Sequence, residues 1–483
     1  MKSRRTLQPG NSKILAAGGY EAPSRRIPQG RRPFVPYLFS RAALALAAFA
    51  AVPSYGIDLV DSYLAAKNHD AIIASAQAAH TSGVEVLQQA QAKLGATLQA
   101  TGSASLLQTH LLGYPPATGY TSQGLLSLDQ PLFRRTDSIA ADQAQSQVTR
   151  LDSVLYGAEQ DLVLRVAQTY LNALLAQDLL EATILEKKSI SEQLERARRS
   201  FEVGTAPVTD VTDTQSRYDI SIANEARDRG NLEIAQRAFE VLMGIPPESL
   251  AGVVIERTVR PPEPADLNYW LSAARDRNPG VVQATATLDV QQKQIDRTRA
   301  AWYPTIDLVA SASKQTFSEA NLNVLGTGGK VAEIGVQVSW TLWDSGMRSS
   351  ELRQATAGAD QAAEDLRTSK NVAVEGARQN YIGVTSAITE VGALEQAAVA
   401  GRISLEGAIR GLEAGTRTAI DVLNARQLLF QTLRNLANAR YSEVLQMLQL
   451  KSMVGTLTVH DLEGITSASA PAGLFASEPP IPH

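Results

Sequence analysis

The sequence predicts an α+β chain built by internal duplication, in which long antiparallel helices carry two pairs of amphipathic strands. Three observations predict it. The stretch Gly204-Thr205-Ala206-Pro207-Val208-Thr209-Asp210-Val211 returns 211 residues later as Gly415-Thr416-Arg417-Thr418-Ala419-Ile420-Asp421-Val422, with its Gly-Thr start and Asp-Val end at the same spacing. Ser103-Ala104-Ser105 matches Ser311-Ala312-Ser313 at an offset of 208, and Leu132-Phe133 matches Leu342-Trp343 at 210. So small a drift over half the chain marks a duplicated unit. In both halves the apolar spacing also switches from three or four residues to two and back, which are the periods of helix and strand.

Residues 1–56 read as a targeting signal with an N-terminal extension. Arg31, Arg32 and Arg41 precede the apolar run Ala42 to Val52, and Ser54-Tyr55-Gly56 offers small residues for cleavage, so the mature chain is expected to start near Ile57. The first repeat is expected over 57–249. Asp58 to about Leu94 is rich in Ala, Gln and Leu and lacks proline, which predicts one helix of about 55 Å. From Thr97, Leu98, Ala100, Gly102, Ala104 and Leu106 alternate with Gln99, Thr101, Ser103 and Ser105, giving a strand with one apolar and one polar face. After a turn near Gly113 to Gly119, Leu126, Leu128 and Leu132 alternate with Ser127 and Asp129, completing a hairpin over 97–133.

The long helix expected over 135–202 contains one glycine and no proline and would span about 100 Å. Leu151, Leu155, Ala158, Leu162, Val166, Tyr170 and Leu174 form its packing stripe. The turn at Gly204 to Pro207 leads into a return helix over 208–243, stopped by Gly244-Ile245-Pro246-Pro247. Residues 250–266, rich in proline, read as a linker or equatorial collar. The second repeat, 267–462, has the same order: a helix to about Ala301, a hairpin over 305–343, a long helix over 347–413 and a return helix over 418–454. In the hairpin, Ile306, Leu308, Ala310 and Ala312, then Ile334, Val336, Val338, Trp340 and Leu342, keep one parity. Residues 463–483, rich in Ala, Ser and Pro, are expected to be disordered.

Composition removes several chemistries. The absence of cysteine excludes disulfides, thiolate metal sites and cysteine nucleophiles. His69, His80, His110, His460 and His483 lack metal-ligand spacing, and no nucleophile-base pair or phosphate loop appears, so no catalytic residue, metal or cofactor is expected. Loss of residues 1–56 removes nine of 45 Lys/Arg and one of 49 Asp/Glu, leaving 36 against 48. A chain so acidic is a poor nucleic-acid ligand.

Nothing after the targeting segment resembles a membrane helix, so a membrane crossing must be made by strands. Alternating runs of about nine to eleven residues suit a tilted crossing. Trp302, Trp340 and Trp343 stand at the ends of the second strand pair, where an aromatic girdle would sit. Four strands cannot close a barrel whose edges must be paired in lipid, so several copies must contribute. With a signal peptide, the strands belong to an outer membrane and the helices to the periplasm. Polar inner faces then leave a water-filled conduit.

Several motifs resemble the TolC family of outer-membrane channels, from Asp58 to about Leu462. They are the paired Gly-turns, Gln130-Pro131-Leu132-Phe133, Asn278-Pro279, Trp343-Asp344-Ser345-Gly346, Gly415-Thr416-Arg417-Thr418 through Asp421-Val422-Leu423, and Leu436-Ala437-Asn438-Ala439-Arg440-Tyr441. The resemblance implies a homotrimer with a twelve-strand barrel, four strands per chain, continued by a helical periplasmic tunnel that closes at its tip. The Gly-Thr-Arg-Thr form is similar to the branch serving type I secretion, which implies a periplasmic adaptor and an inner-membrane ABC transporter as partners. The alternative is the outer-membrane component of a multidrug or metal efflux pump. A periplasmic coiled-coil adaptor is a remote alternative, since it needs one hairpin and separate β domains.

The resemblance also implies a gate at Arg417 and Asp421, with Asp210 and Thr209 of the first repeat on the partner side, and tip turns at Gly204, Thr205, Gly415 and Thr416. Asn424 replaces a second aspartate of the best-known members, and Leu412 replaces a tyrosine. A purely structural reading is also open: Thr418 and Asp421 have the spacing of a helix-capping pair, and Asp210 lies where an acidic residue favours a helix N-terminus.

Overall fold

A computed structural model of the chain describes residues 57–110, 117–247, 250, 261–317, 328–463 and 465. The targeting segment, most of the linker at 250–266, both distal hairpin loops and all but the start of the C-terminal tail lie outside the described residues.

The expected helix from Asp58 to Leu94 is two helices, α1 (Leu59–His69) and α2 (Ala71–Ala92), because Asp70 stops one and starts the other. Its Oδ1 accepts from the amides of Ile72 and Ile73 at 2.9 Å, and Arg165 clamps both carboxylate oxygens at 2.7 and 3.1 Å. The second repeat has the same break 208 residues later. Asn278 separates α5 (Leu267–Arg277) from α6 (Pro279–Ala300) and accepts from the amides of Gly280 and Val281. Asp70→Asn keeps the Oδ1 cap but loses the Arg165 ion pair, and Asp70→Ala loses both, so each should lower stability, the alanine variant more, by about 2 kcal/mol or more. Thermal unfolding of the two variants side by side checks this.

Strands β1 (Thr97–Thr109), β2 (Ala117–Phe133), β3 (Thr305–Phe317) and β4 (Gly328–Ser339) form one antiparallel sheet in sequence order. The β2–β3 pairing joins the two repeats, with Ser127 opposite Ser311, and leaves β1 and β4 as free edges. Even-numbered Leu98, Leu126, Ile334, Val336 and Val338 are exposed on one face. The odd face is less uniformly polar than the alternation suggests, since Leu125, Val309 and Val331 share it with Asp129, Asp307 and Glu333. β4 ends at Ser339, short of the expected 343. Ser339 faces Thr305, the first residue of β3, and Pro304 before it has no amide to continue the ladder; beyond it the Arg348 guanidinium holds Thr341 O at 2.7 Å, Ala301 O at 3.3 Å and Asp344 at 2.5 Å. Arg348 also lies 4.6 Å above the Trp302 ring. Trp302, Trp340 and Trp343 are all exposed at this strand–helix junction, and Trp340 Nε1 donates to Trp302 O at 3.1 Å. The fourth tryptophan, Trp270, is buried in the helical core.

Two long helices, α3 (Arg135–Glu202) and α7 (Met347–Glu413), leave the sheet and return as α4 (Val208–Met243) and α8 (Ala419–Met453); α9 (His460–Glu463) follows. At 68 and 67 residues, α3 and α7 each run about 100 Å. α3 packs on α2, α4, α6 and α8, so the two hairpins meet along α3 and α8. Leu162, Val166, Tyr170 and Leu174 of the expected stripe are buried with Phe239, Met243 and Leu448 in the core beside α1. There Tyr441 of α8 donates its hydroxyl to Asp178 of α3 at 2.7 Å. A separate cluster of Val391, Leu405, Leu429 and Leu433 zips α7 to α8 toward the tip.

Candidate functional site

Both tips are closed by one backbone device. Gly204 after α3 and Gly415 after α7 are left-handed, at φ 74° and 73°, a conformation that a Cβ disfavours. Thr205 N–H donates to Ser200 O at 2.9 Å, and Thr416 N–H to Gly411 O at 2.8 Å. The following amides, of Ala206 and Arg417, share those carbonyls at 3.2 and 3.1 Å, as do the two threonine hydroxyls at 3.0 and 3.1 Å. Six donors, three at each tip, that would otherwise need water thus find protein acceptors, which is why Gly-Thr recurs.

Beyond the turns the tips differ. Pro207 opens α4 without a side-chain cap, and among the described residues Asp210 makes no side-chain hydrogen bond. At the second tip Thr418 caps α8: Asp421 N–H donates to Thr418 Oγ1 at 3.3 Å, and Asp421 Oδ2 accepts from Thr418 N–H and Oγ1–H, both at 2.8 Å. The Thr418 amide, then its hydroxyl, then the Arg417 charge hold the Asp421 carboxyl below its ordinary range. Because the folded pKa is depressed, this cap is present above the usual carboxylate range and is lost as pH falls through the lowered value. Thr418→Ala removes the hydroxyl donor, so the Asp421 titration should move upward, read as the chemical shift of its carboxyl carbon against pH.

The expected gate residues divide into two groups. Arg417 and Asp421 stand together on the second tip, both in reach of solvent, while Thr209 and Asp210 stand on the first. Among the described residues no hydrogen bond or ion pair joins the groups within one protomer. Asn424 has a different partner. Its Oδ1 accepts from Arg217 Nη2 at 2.9 Å, and Arg217 Nη1 reaches Gln427 Oε1 at 2.5 Å, so one α4 arginine spans two α8 amides. Behind this bridge α3, α4 and α8 enclose a recess of about 410 Å³ lined by Glu186, Asp213, Arg217, Leu423 and Arg426. Arg426 is 4% exposed and binds the carbonyl and hydroxyl of Ser189.

Sequence reasoning missed Arg217, Arg426 and Gly411. Arg217 falls in a polar stretch of α4 with nothing to say which helix it faces. Gly411 had a signal in its Gly-x-x-x-Gly spacing to Gly415. Arg417 lies across it, and a Cβ built on Gly411 would come within 2.6 Å of Arg417 Cγ. No group of acidic or histidine side chains among the described residues could hold a metal ion. Nor is any described helix long and apolar enough to cross a membrane.

Comparison with known proteins follows the same division. The sequence model of a family described as outer membrane efflux protein matches residues 63–245 and 270–456, one block on each side of the linker. The chain is 30% identical over 372 residues to outer membrane protein TolC of Escherichia coli, covering 74% of this chain and 75% of that protein. It is 29% identical over 340 residues to alkaline protease secretion protein AprF of Pseudomonas aeruginosa, covering 70% of each. A crystal structure of CusC superposes with a TM-score of 0.72 at 18% identity, covering 88% of this chain and 98% of that one. With both halves matched and the fold shared along nearly the whole of a solved channel, the chain belongs to the outer membrane efflux protein family and is an outer-membrane channel for secretion or efflux, not an enzyme.

Proposed function

We propose that the chain is the outer-membrane duct of a three-part type I secretion system, working as a homotrimer. The sheet's two free edges carry this reading: β1 of one copy pairs with β4 of the next, and three copies give a closed twelve-strand barrel with no edge left in lipid. The odd faces then line a wet lumen, the girdle of Trp302, Trp340 and Trp343 meets the inner lipid boundary, and α3, α4, α7 and α8 carry the conduit to the tips. A periplasmic adaptor docks there and connects the duct to an inner-membrane ABC transporter. The Gly-Thr-Arg-Thr turn and the likeness to a protease secretion protein support secretion as the task.

At the tip, Asp421 forms a three-fold negative constriction, while Arg417 reaches Thr209 and Asp210 of the neighbouring hairpin and holds the entrance shut. Asn424 contributes differently, because Arg217 already occupies its carbonyl oxygen. It ties α8 to α4 inside the protomer.

The purified protein is expected to fractionate with outer membranes as a trimer and to form cation-preferring pores in planar bilayers. A soluble monomer would sink the duct. Deleting the chain from its host should abolish release of a large protein into the medium. The family's description favours efflux as the second reading; in that case deletion raises sensitivity to toxic compounds and leaves protein release intact.

A further inference from the structure

The two faces of the sheet differ in charge as well as polarity. All three acidic residues of the described strands, Asp129, Asp307 and Glu333, stand at odd positions, and both basic ones, Lys314 and Lys330, at even positions. The lysines therefore share the face of Leu126, Ile334 and Val336, where no strand carboxylate can reach them. They are direct partners in the β3–β4 register, both are exposed, and among the described residues no ion pair involves either. Like charges directly opposite on paired strands destabilise each other. In the same row, Gly124 and Gly102 continue across β2 and β1, and a Cβ on either would touch nothing. Bare backbone thus lies beside two ammonium groups that have no ion-pair partner among the described residues.

Depth identifies what meets them. Thr305 pairs with Ser339 at the junction that carries Trp302 and Trp340, and Lys314 pairs with Lys330 nine residues farther along. Nine residues rise about 30 Å along a strand, or about 23 Å of height at a tilt of about 40°. A barrel's apolar band is about 25 Å tall, so the lysine pair lies at its outer boundary. A lysine on the lipid face is costly at the midplane and tolerated near an interface. Two of them a strand spacing apart can converge on one phosphate group.

We propose that Lys314 and Lys330 form a clasp for a phosphate-bearing lipid headgroup of the outer leaflet, one clasp per protomer, an inference that rests on the strands crossing the membrane. The test uses the full-length protein in nanodiscs of zwitterionic lipid doped with a lipid carrying phosphate monoesters, with retained lipid counted by native mass spectrometry. Lys314→Gln with Lys330→Gln should weaken retention about 30-fold, at the usual worth of two surface lysines, while the Lys→Arg pair retains it. Where the double variant does not insert, Lys330→Gln alone should weaken retention about fivefold. Unchanged retention overturns the clasp, and inorganic phosphate held by the same lysines without any preference for the phosphate-bearing lipid over the zwitterionic one assigns the site to free anion and also overturns it. Bilayer conductance of the same preparations separates the readings. A wild-type protein that forms no pore defeats the membrane crossing, whereas pores without lipid preference defeat only the clasp.

Discussion

Replacing Asp421 by alanine is expected to lower the cation-to-anion permeability ratio of the reconstituted channel about three- to tenfold in dilute salt. Three carboxylates close to one axis act on every ion that passes. At about 8 Å in a water-like medium, one unit charge changes the local balance of a monovalent ion about twofold, and three multiply to about tenfold. A Debye length of about 10 Å at 0.1 M trims this, and one of about 3 Å at 1 M nearly removes it. The difference between wild type and variant should therefore collapse in concentrated salt. Asp421 also caps α8 through Thr418, so alanine removes charge and cap together. Asp421→Asn separates them, because an amide oxygen still accepts from the Thr418 amide while the charge is gone. If the asparagine variant keeps the wild-type ratio in dilute salt, Asp421 is a cap that does not face the lumen.

The features most legible in the sequence were those set by local chemistry. Gly204 and Gly415 announce their turns because a left-handed residue followed by threonine has few alternatives, and the strands announce themselves by parity. Asp70 shows the limit. An aspartate in an Ala-rich run reads as a solvated helix residue, and its role as stop and start depends on Arg165, which arrives from 95 positions away. The only sequence clue was its relation to Asn278 at the duplication offset. Leu125 and Val309 escaped the parity rule for a related reason: a wide lumen accepts an occasional apolar side chain, so selection for polarity there is weak. At the tip, the capping pair was readable from the Thr418 to Asp421 spacing. The bridge from Arg217 to Asn424 and Gln427 was not, because it depends on how far α4 and α8 are rotated about their own axes. Periodicity gives a helix its apolar face but leaves a mostly polar helix such as α4 without a bearing. The same limit hid the lysine clasp, since Lys314 and Lys330 are neighbours only through the register of β3 on β4.

Glu443→Gln is expected to stabilise the folded chain at pH 8 and to leave it nearly unchanged at pH 4.5. Glu443 lies on α8 at 2% exposure. Burial first, then the Glu395 carboxylate on α7, push its pKa from 4.5 up to about 7, and Arg440 offsets only part of this. Arg440 has another commitment, since its Nη2 is bonded to Glu395 at 2.7 Å. The sign follows from linkage. A carboxyl whose folded pKa is raised keeps a proton that the unfolded chain releases, so stability is highest below about pH 4.5 and declines as pH rises to about 7. The full interval would correspond to about 3 kcal/mol at about 1.4 kcal/mol per unit. Local relaxation and water entry reduce it, so a loss of about 1 to 3 kcal/mol between pH 4.5 and 8 is expected in the wild type. Glutamine has nearly the shape of the protonated acid and no charge to desolvate. Its variant should therefore lose the part of the decline between pH 4.5 and 8 that Glu443 causes, melting higher than wild type at pH 8 and equal to it at pH 4.5, in thermal melts of the detergent-solubilised protein. Equal melting of the two proteins at pH 8 would mean that the Glu443 carboxylate is satisfied when ionised, and the seam between α7 and α8 would then carry no pH-dependent weakness.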